Sequence, residues 1–269
     1  MTHRYLKLNI QNAVLALVLA MFCAPALAQT PAQVQARKDR VFVRDLEGFW
    51  LNEAYAKALS ASRSPHAAAK QVAPVLIGLR REGRSYPIVI TDFNKAVLNA
   101  VLDVEPQGKP GAFRLVLGAE DRPVSSSEVT YLPFEGAKNA QGKFDRLRFS
   151  EPFLMKGKPA DFMLLAGEVS PYINRLVIAG TYKDEKGVTW AFTEAGEARW
   201  PDRSFIYDLS LNDPTANCEY LQTEDLKDGE HNLRFGYAWK ADKLSIFPAR
   251  VVGKRVRCDA KPIAVLTRQ

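Results

Sequence analysis

The stretch Leu233-Arg234-Phe235-Gly236-Tyr237-Ala238-Trp239 alternates large apolar side chains with charged or small ones. A period of two puts Leu233, Phe235, Tyr237 and Trp239 on one face of a strand. Gly236 and Ala238, facing the other way, suit a tightly curved wall. Upstream, Phe205, Tyr207 and Leu209 form a second face of this kind. Leu176, Ile178 and Tyr182 lead as a strand into the turn Asp184-Glu185-Lys186-Gly187, and Val188, Trp190 and Phe192 leave it, so a hairpin is predicted there. The first half has the same period at Ile88 and Ile90, at Leu98, Ala100, Leu102 and Val104, and at Phe113, Leu115 and Leu117. Turn residues punctuate it at Glu82-Gly83, Gln107-Gly108 and Gln141-Gly142. Many short strands with short turns predict a mainly β chain. Its antiparallel meander must close into a barrel or stack as a β-sandwich.

The start of the domain has a different period. After Trp50, the residues Leu51, Ala54, Tyr55, Ala58 and Leu59 share a helical face. Ser64 is a helix N-cap residue, Pro65 suits the first helical position, and Pro74 ends the run. A pair of short helices is therefore expected across 50–72. Pro152, Pro159 and Pro171 break the pattern over 150–172, which suggests a connection between two sheet regions within one β-rich domain, 45–269.

Before that domain, Arg4 and Lys7 precede the apolar run Ala13–Ala24, and Ala26-Leu27-Ala28 has the small residues of a cleavage site. An export signal over 1–28 is expected, followed by a polar lead-in over 29–44. The apolar run is too short to span a membrane. The bulky residues before Cys23 argue against a lipoprotein. Removing the signal takes the formal charge from +7 to +5, because Arg4 and Lys7 are its only charged side chains. For an exported chain, this excess points to solubility or to contact with anionic envelope surfaces, not to nucleic acid. Cys218 and Cys258 then remain as an even pair bound for an oxidising, periplasmic or external compartment, and a disulfide between them is expected.

Gly48-Phe49-Trp50, followed by the helix pair and a hairpin over 75–91, resembles the start of the calycins, the lipocalin and fatty-acid-binding barrel families. The resemblance covers Gly48 to about Asn94 and implies a ligand-holding barrel with Gly48 and Trp50 as structural residues. The chain is longer than one small barrel needs. No first strand of normal length is expected between Trp50 and the helix, and Arg234 and Tyr237 have the wrong spacing for a carboxylate clamp.

Catalytic motifs are absent from the sequence: no Gly-x-Ser-x-Gly, no His-Glu-x-x-His, no phosphate loop and no dinucleotide fingerprint. His66 falls in a helix first turn and His231 in a polar turn. Glu120-Asp121 and Asp184-Glu185 are turn acids. Asp225, Asp228, Glu230 and Asn232 around Gly229 lack the calcium-loop spacing, so no metal or cofactor is expected. The aromatic faces are the richer signal. Trp190, Phe192, Phe235, Tyr237 and Trp239 are expected either to fill a core or to line a pocket for a lipid-like, apolar or amphipathic small molecule. Those alternatives correspond to an exported carrier and to an envelope interaction domain with a filled core; an enzyme assembled from scattered acids stays open as a third reading.

Overall fold

The computed structural model describes residues 45–72, 74–79, 88–93, 96–98, 103–107, 111–117, 130–150, 159–224 and 233–269. The export signal with Cys23, the lead-in over 29–44, the turns at Glu82-Gly83 and Glu120-Asp121, residues 151–158, and the loop from Asp225 to Asn232 with His231 lie outside them.

The Gly-Phe-Trp motif is itself the first strand, β1 (Gly48–Asn52). A strand of five residues therefore fits where none was expected, because it begins before Trp50. It passes directly into α1 (Glu53–Ser62). The last strand residue, Asn52, is also the helix N-cap, and its Oδ1 accepts from the Ala54 and Tyr55 amides at 2.9 and 3.4 Å. Arg63 ends α1 in the left-handed region, φ 53°, and its amide donates to the Leu59 carbonyl at 2.7 Å. Ser64 then caps α2 (Pro65–Gln71), accepting from the Ala67 amide, with Pro65 at the first helical position.

Eight strands follow: β2 (Leu76–Leu79), β3 (Ile88–Thr91), β4 (Ala96–Leu98), β5 (Asp103–Pro106), β6 (Ala112–Leu117), β7 (Thr130–Lys138), β8 (Phe144–Phe149) and β9 (Ala160–Leu164). With β1 they make a curled antiparallel sheet in the order β4-β3-β2-β1-β9-β8-β7-β6-β5. Pairing Trp50 with Ile77 and Ile77 with Ile90 puts these three buried side chains on one face. Phe113, Phe134, Phe149 and Phe162 share that face, ring against ring at 5.1–5.6 Å. Trp50 is fully buried and donates its Nε1–H to the Leu46 carbonyl at 2.9 Å. Gly48, at φ 143°, lies where an added Cβ would come within 2.7 Å of Leu164 Cδ1.

Leu176, expected on a strand face with Ile178 and Tyr182, instead lies in α3 (Val169–Val177), which begins within the expected connection. Pro171 is tolerated because a first-turn residue needs no amide proton, and Val169, Tyr172, Ile173, Leu176 and Val177 recur at helical spacing. The strand begins only at Gly180.

From there β10 (Gly180–Lys183), β11 (Thr189–Phe192), β12 (Glu197–Arg199), β13 (Ser204–Leu209), β14 (Glu219–Glu224), β15 (Arg234–Lys240) and β16 (Lys243–Val252) run as a meander. After the edge strand β17 (Arg255–Cys258), β18 (Ala264–Arg268) pairs with both β16 and β10. The pairing Tyr182 with Arg268 closes an eight-stranded antiparallel barrel, so this sheet curls onto itself and does not stack as half of a sandwich. The closed barrel thus occupies the second half of the chain, and the Gly-Phe-Trp strand belongs to the curled sheet. One hydrophobic cluster joins Leu51 and Leu76 of that sheet, Tyr55, Leu59 and Ala68 of the helix pair, Ile173 and Val177 of α3, and the barrel residues Tyr182, Tyr207, Tyr237 and Ile246.

Candidate functional site at the mouth of the barrel

Register decides which side chains face inward. Tyr182 pairs with Trp190, Phe192 with Ala198, Leu221 with Phe235, Glu219 with Tyr237, and Trp239 with Leu244. Directly paired residues share a face. Tyr182, Ala198, Leu221 and Leu244 are fully buried in the core cluster. All five aromatics singled out in the sequence, Trp190, Phe192, Phe235, Tyr237 and Trp239, therefore line the inside of one barrel.

Toward one end of the barrel these rings pack on one another. Trp200, which the strand periodicity did not single out, is the hub. Its ring lies 4.7 Å from that of Trp190, 6.4 Å from Phe192, 4.9 Å from Phe205 and 4.6 Å from Phe235. It follows the three-residue β12 and precedes Pro201, a run too short to show alternation. Phe192 and Tyr207 add an edge contact at 5.7 Å. At this level the barrel is filled, in the manner of small barrels.

The opposite end of the same wall is different. A cavity of about 570 Å³ lies between the α1–α2 turn and the barrel rim, lined by Arg63, Glu219, Tyr237, Trp239, Phe247 and the Cys218–Cys258 disulfide, with the Tyr237 side chain itself buried. The volume falls within the usual range for small-molecule sites. Arg63 and Glu219 in it each have a structural reason to be there. Arg63 lies at the left-handed end of α1 with its guanidinium 4.1 Å above the Trp239 ring, a cation–π contact, and the Trp239 Nε1–H donates to the Val177 carbonyl at 3.0 Å. Glu219 accepts from the Ser64 hydroxyl and, at 3.1 Å, from the His66 amide, tying the helix pair to β14. The His66 ring takes no part in this contact. Its Nδ1 lies 3.1 Å from Asn212 Oδ1, while the Asn212 amide group donates to the Asp92 carbonyl at 2.8 Å.

Electrostatics single out the same place. Burial pushes the Glu219 carboxyl above the usual carboxylate range, against the Ser64 and His66 hydrogen bonds that pull it down. Burial, and then the neighbouring Glu219 charge, raise both the Tyr55 and Tyr237 phenols well above the ordinary tyrosine value. The Tyr55 Oη, Tyr237 Oη and Arg63 Nη1 are buried without a protein hydrogen-bond partner. Buried polar atoms left in that condition are costly, and they concentrate where a ligand or an ordered water completes the set.

The disulfide forms as expected, with Cα atoms 6.1 Å apart. It presses on the outside of β15, where a Cβ on Gly236 would come within 2.0 Å of the Cys258 Sγ. Gly236 therefore fits the bridge in addition to the curvature read from the sequence. Among the described residues, no group of three or more His, Cys, Asp or Glu side chains could hold a metal ion, and no helix is long and apolar enough to cross a membrane.

Comparison of the chain with known protein families, with curated proteins and with solved structures found no match.

Proposed function

We propose that this is an exported binding or carrier protein for an amphipathic small molecule, built on a calycin-like barrel and holding its ligand at the barrel mouth above a filled core. The observation that carries the reading is the 570 Å³ cavity in which the Trp239 ring and the Phe247 side chain meet Arg63. An apolar portion would lie against Trp239, Phe247 and the disulfide, and a polar head would meet the Arg63 guanidinium. The disulfide supports a periplasmic or secreted setting.

Titration with a fluorescent fatty-acid analogue tests the proposal. Binding in the micromolar range that is lost in Arg63→Met and weakened in Trp239→Phe, at unchanged melting temperature, supports it. Probe uptake that ignores both substitutions places any ligand elsewhere. A second reading, an envelope interaction domain without a small-molecule ligand, draws support from the ring-to-ring packing around Trp200. It gains if neither the probe nor an organic extract of protein purified from its own host reveals a bound molecule.

A further inference from the structure

The strands β16 and β17 form a hairpin that leaves the barrel. Among the described residues, β16 pairs with β18 as far as Ile246 and with β15 as far as Ala249, and Arg250, Val251 and Val252 pair with β17. Three residues of strand carry the tip about 10 Å past the last described pair with β15. A two-residue turn, Gly253-Lys254 with Gly253 at φ 63°, closes the hairpin, and the outer edge of β17 ends the sheet order.

The composition of this tip conflicts with a purely structural role. Residues 249–258, Ala-Arg-Val-Val-Gly-Lys-Arg-Val-Arg-Cys, contain four cations and no acid. Arg250 is directly opposite Arg257, and Val252 is opposite Arg255, so three arginines share one face of a two-stranded ribbon. Like charges in directly opposed positions destabilise a strand pair. The ion pair the hairpin makes is between Arg250 and Asp259, with Nη2 3.5 Å from Oδ1 and the arginine side chain 73% exposed. Val251 and Val252, at 50% and 53% exposure, are among the most exposed large hydrophobic residues described. Apolar side chains at a projecting tip, ringed by cations that repel one another, complement a surface that is anionic outside and apolar just beneath.

We propose that the β16–β17 hairpin docks the protein on an anionic lipid surface, with Arg250, Arg255 and Arg257 meeting lipid phosphates and Val251 and Val252 entering the headgroup boundary. Such boundary insertion is about 5–10 Å deep, which the projecting tip can reach. The inference does not depend on the small-molecule reading. Cys258 and Asp259 at the base of the hairpin line the mouth cavity, but the hairpin leaves at the Arg234–Ala249 end of β15 and β16, opposite the Trp239–Leu244 end, so docking does not place the mouth on the lipid.

Co-sedimentation of the full chain with vesicles tests the inference. Binding is expected to equal parts phosphatidylglycerol and phosphatidylcholine but not to phosphatidylcholine alone, and to be released in about 1 M salt, where the screening length is about 3 Å. The triple variant Arg250→Ala, Arg255→Ala, Arg257→Ala should lose at least about tenfold in vesicle partitioning, and Val251→Ser with Val252→Ser should weaken binding at unchanged melting temperature. In the unsubstituted protein, hydrogen exchange should slow at the amides of 250–257 when anionic vesicles are added, a readout independent of how the variants fold. Equal binding to neutral vesicles, full binding by the triple variant, or unchanged exchange would overturn the proposal. So would a dimer in solution that protects the β17 edge without lipid. A fatty-acid probe that still binds the triple variant separates loss of docking from loss of the ligand site.

Discussion

Gly236 is constrained from outside the barrel by a sulfur atom, and this makes its contribution measurable. Gly236→Ala should cost about 1–3 kcal/mol or more, the range for overpacking. The cost should fall in a Cys218→Ala, Cys258→Ala background, where the Sγ that its Cβ would meet at 2.0 Å is gone. A double-mutant cycle by urea unfolding reads the difference, and equal costs in both backgrounds would mean that curvature alone requires the glycine. Glu219 offers a pH test. Burial raises its folded-state carboxyl above the unfolded value. Its contribution is therefore fully present below the ordinary carboxylate value and is lost as pH climbs through the raised one. Glu219→Gln should remove that decline from urea midpoints measured upward from the usual carboxylate range; parallel curves for the two proteins would refute the assignment. At this scale the sequence was half informative. Tyr237 and Trp239 were visible because alternation marks a wall. Arg63, Glu219 and Tyr55 were not, since a helix end, the residue after a cysteine and a core-facing tyrosine carry no local signal that they will meet across more than 150 residues.

Among the elements, those with a local cause were legible and those decided by pairing were not. Ser64-Pro65 specified the start of α2, and both hairpin strands around Asp184-Gly187 formed, because capping and turn chemistry act within a few residues. By contrast, α3 was not foreseen: its first residues fell in the expected connection over 150–172 and Leu176 was placed on a strand face, since nine residues sample too few turns to separate a period of 3.6 from one of 2. β1 was missed as a strand because its five residues, GFWLN, show no clean alternation and are held by partners at Leu76–Leu79 and Phe162–Leu164. Trp50 on that strand is fully buried, and Trp50→Ala should cost about 3–5 kcal/mol. A melting temperature within a degree or two of the unsubstituted protein would show that the ring is dispensable. The disulfide ties the base of β17 to the residue before Glu219 across 40 positions. Its removal through Cys258→Ser should cost about 2–5 kcal/mol, measured by chemical unfolding under oxidising conditions. No free thiol should titrate in the unsubstituted, oxidised protein once residues 1–28, with Cys23, are removed.

Over residues 43–269 as a whole, the shared cluster around Tyr55, Leu59, Val177 and Tyr237 links the helix pair to both sheets. Leu59→Ala should therefore cost about 2–5 kcal/mol and lower the midpoints reported by Trp50 in the curled sheet and Trp239 in the barrel together; separate shifts would mean that the sheets unfold independently. That the chain held an antiparallel meander, closing into a barrel or stacking as a sandwich, was legible from its alternating strands, but neither the closure nor its position in the second half was, since closure depends on β10 finding β18 more than 80 residues away. This geometry also sets an order of events. Ala264–Arg268 is the last strand in chain order, yet it seals the barrel against the first strand, β10. As the chain emerges N-terminus first, seven strands must wait with Tyr182 and Leu244 unsheltered until the eighth arrives. The interval between the appearance of β10 and the delivery of Arg268 is thus the period when this chain is most in need of a chaperone's protection.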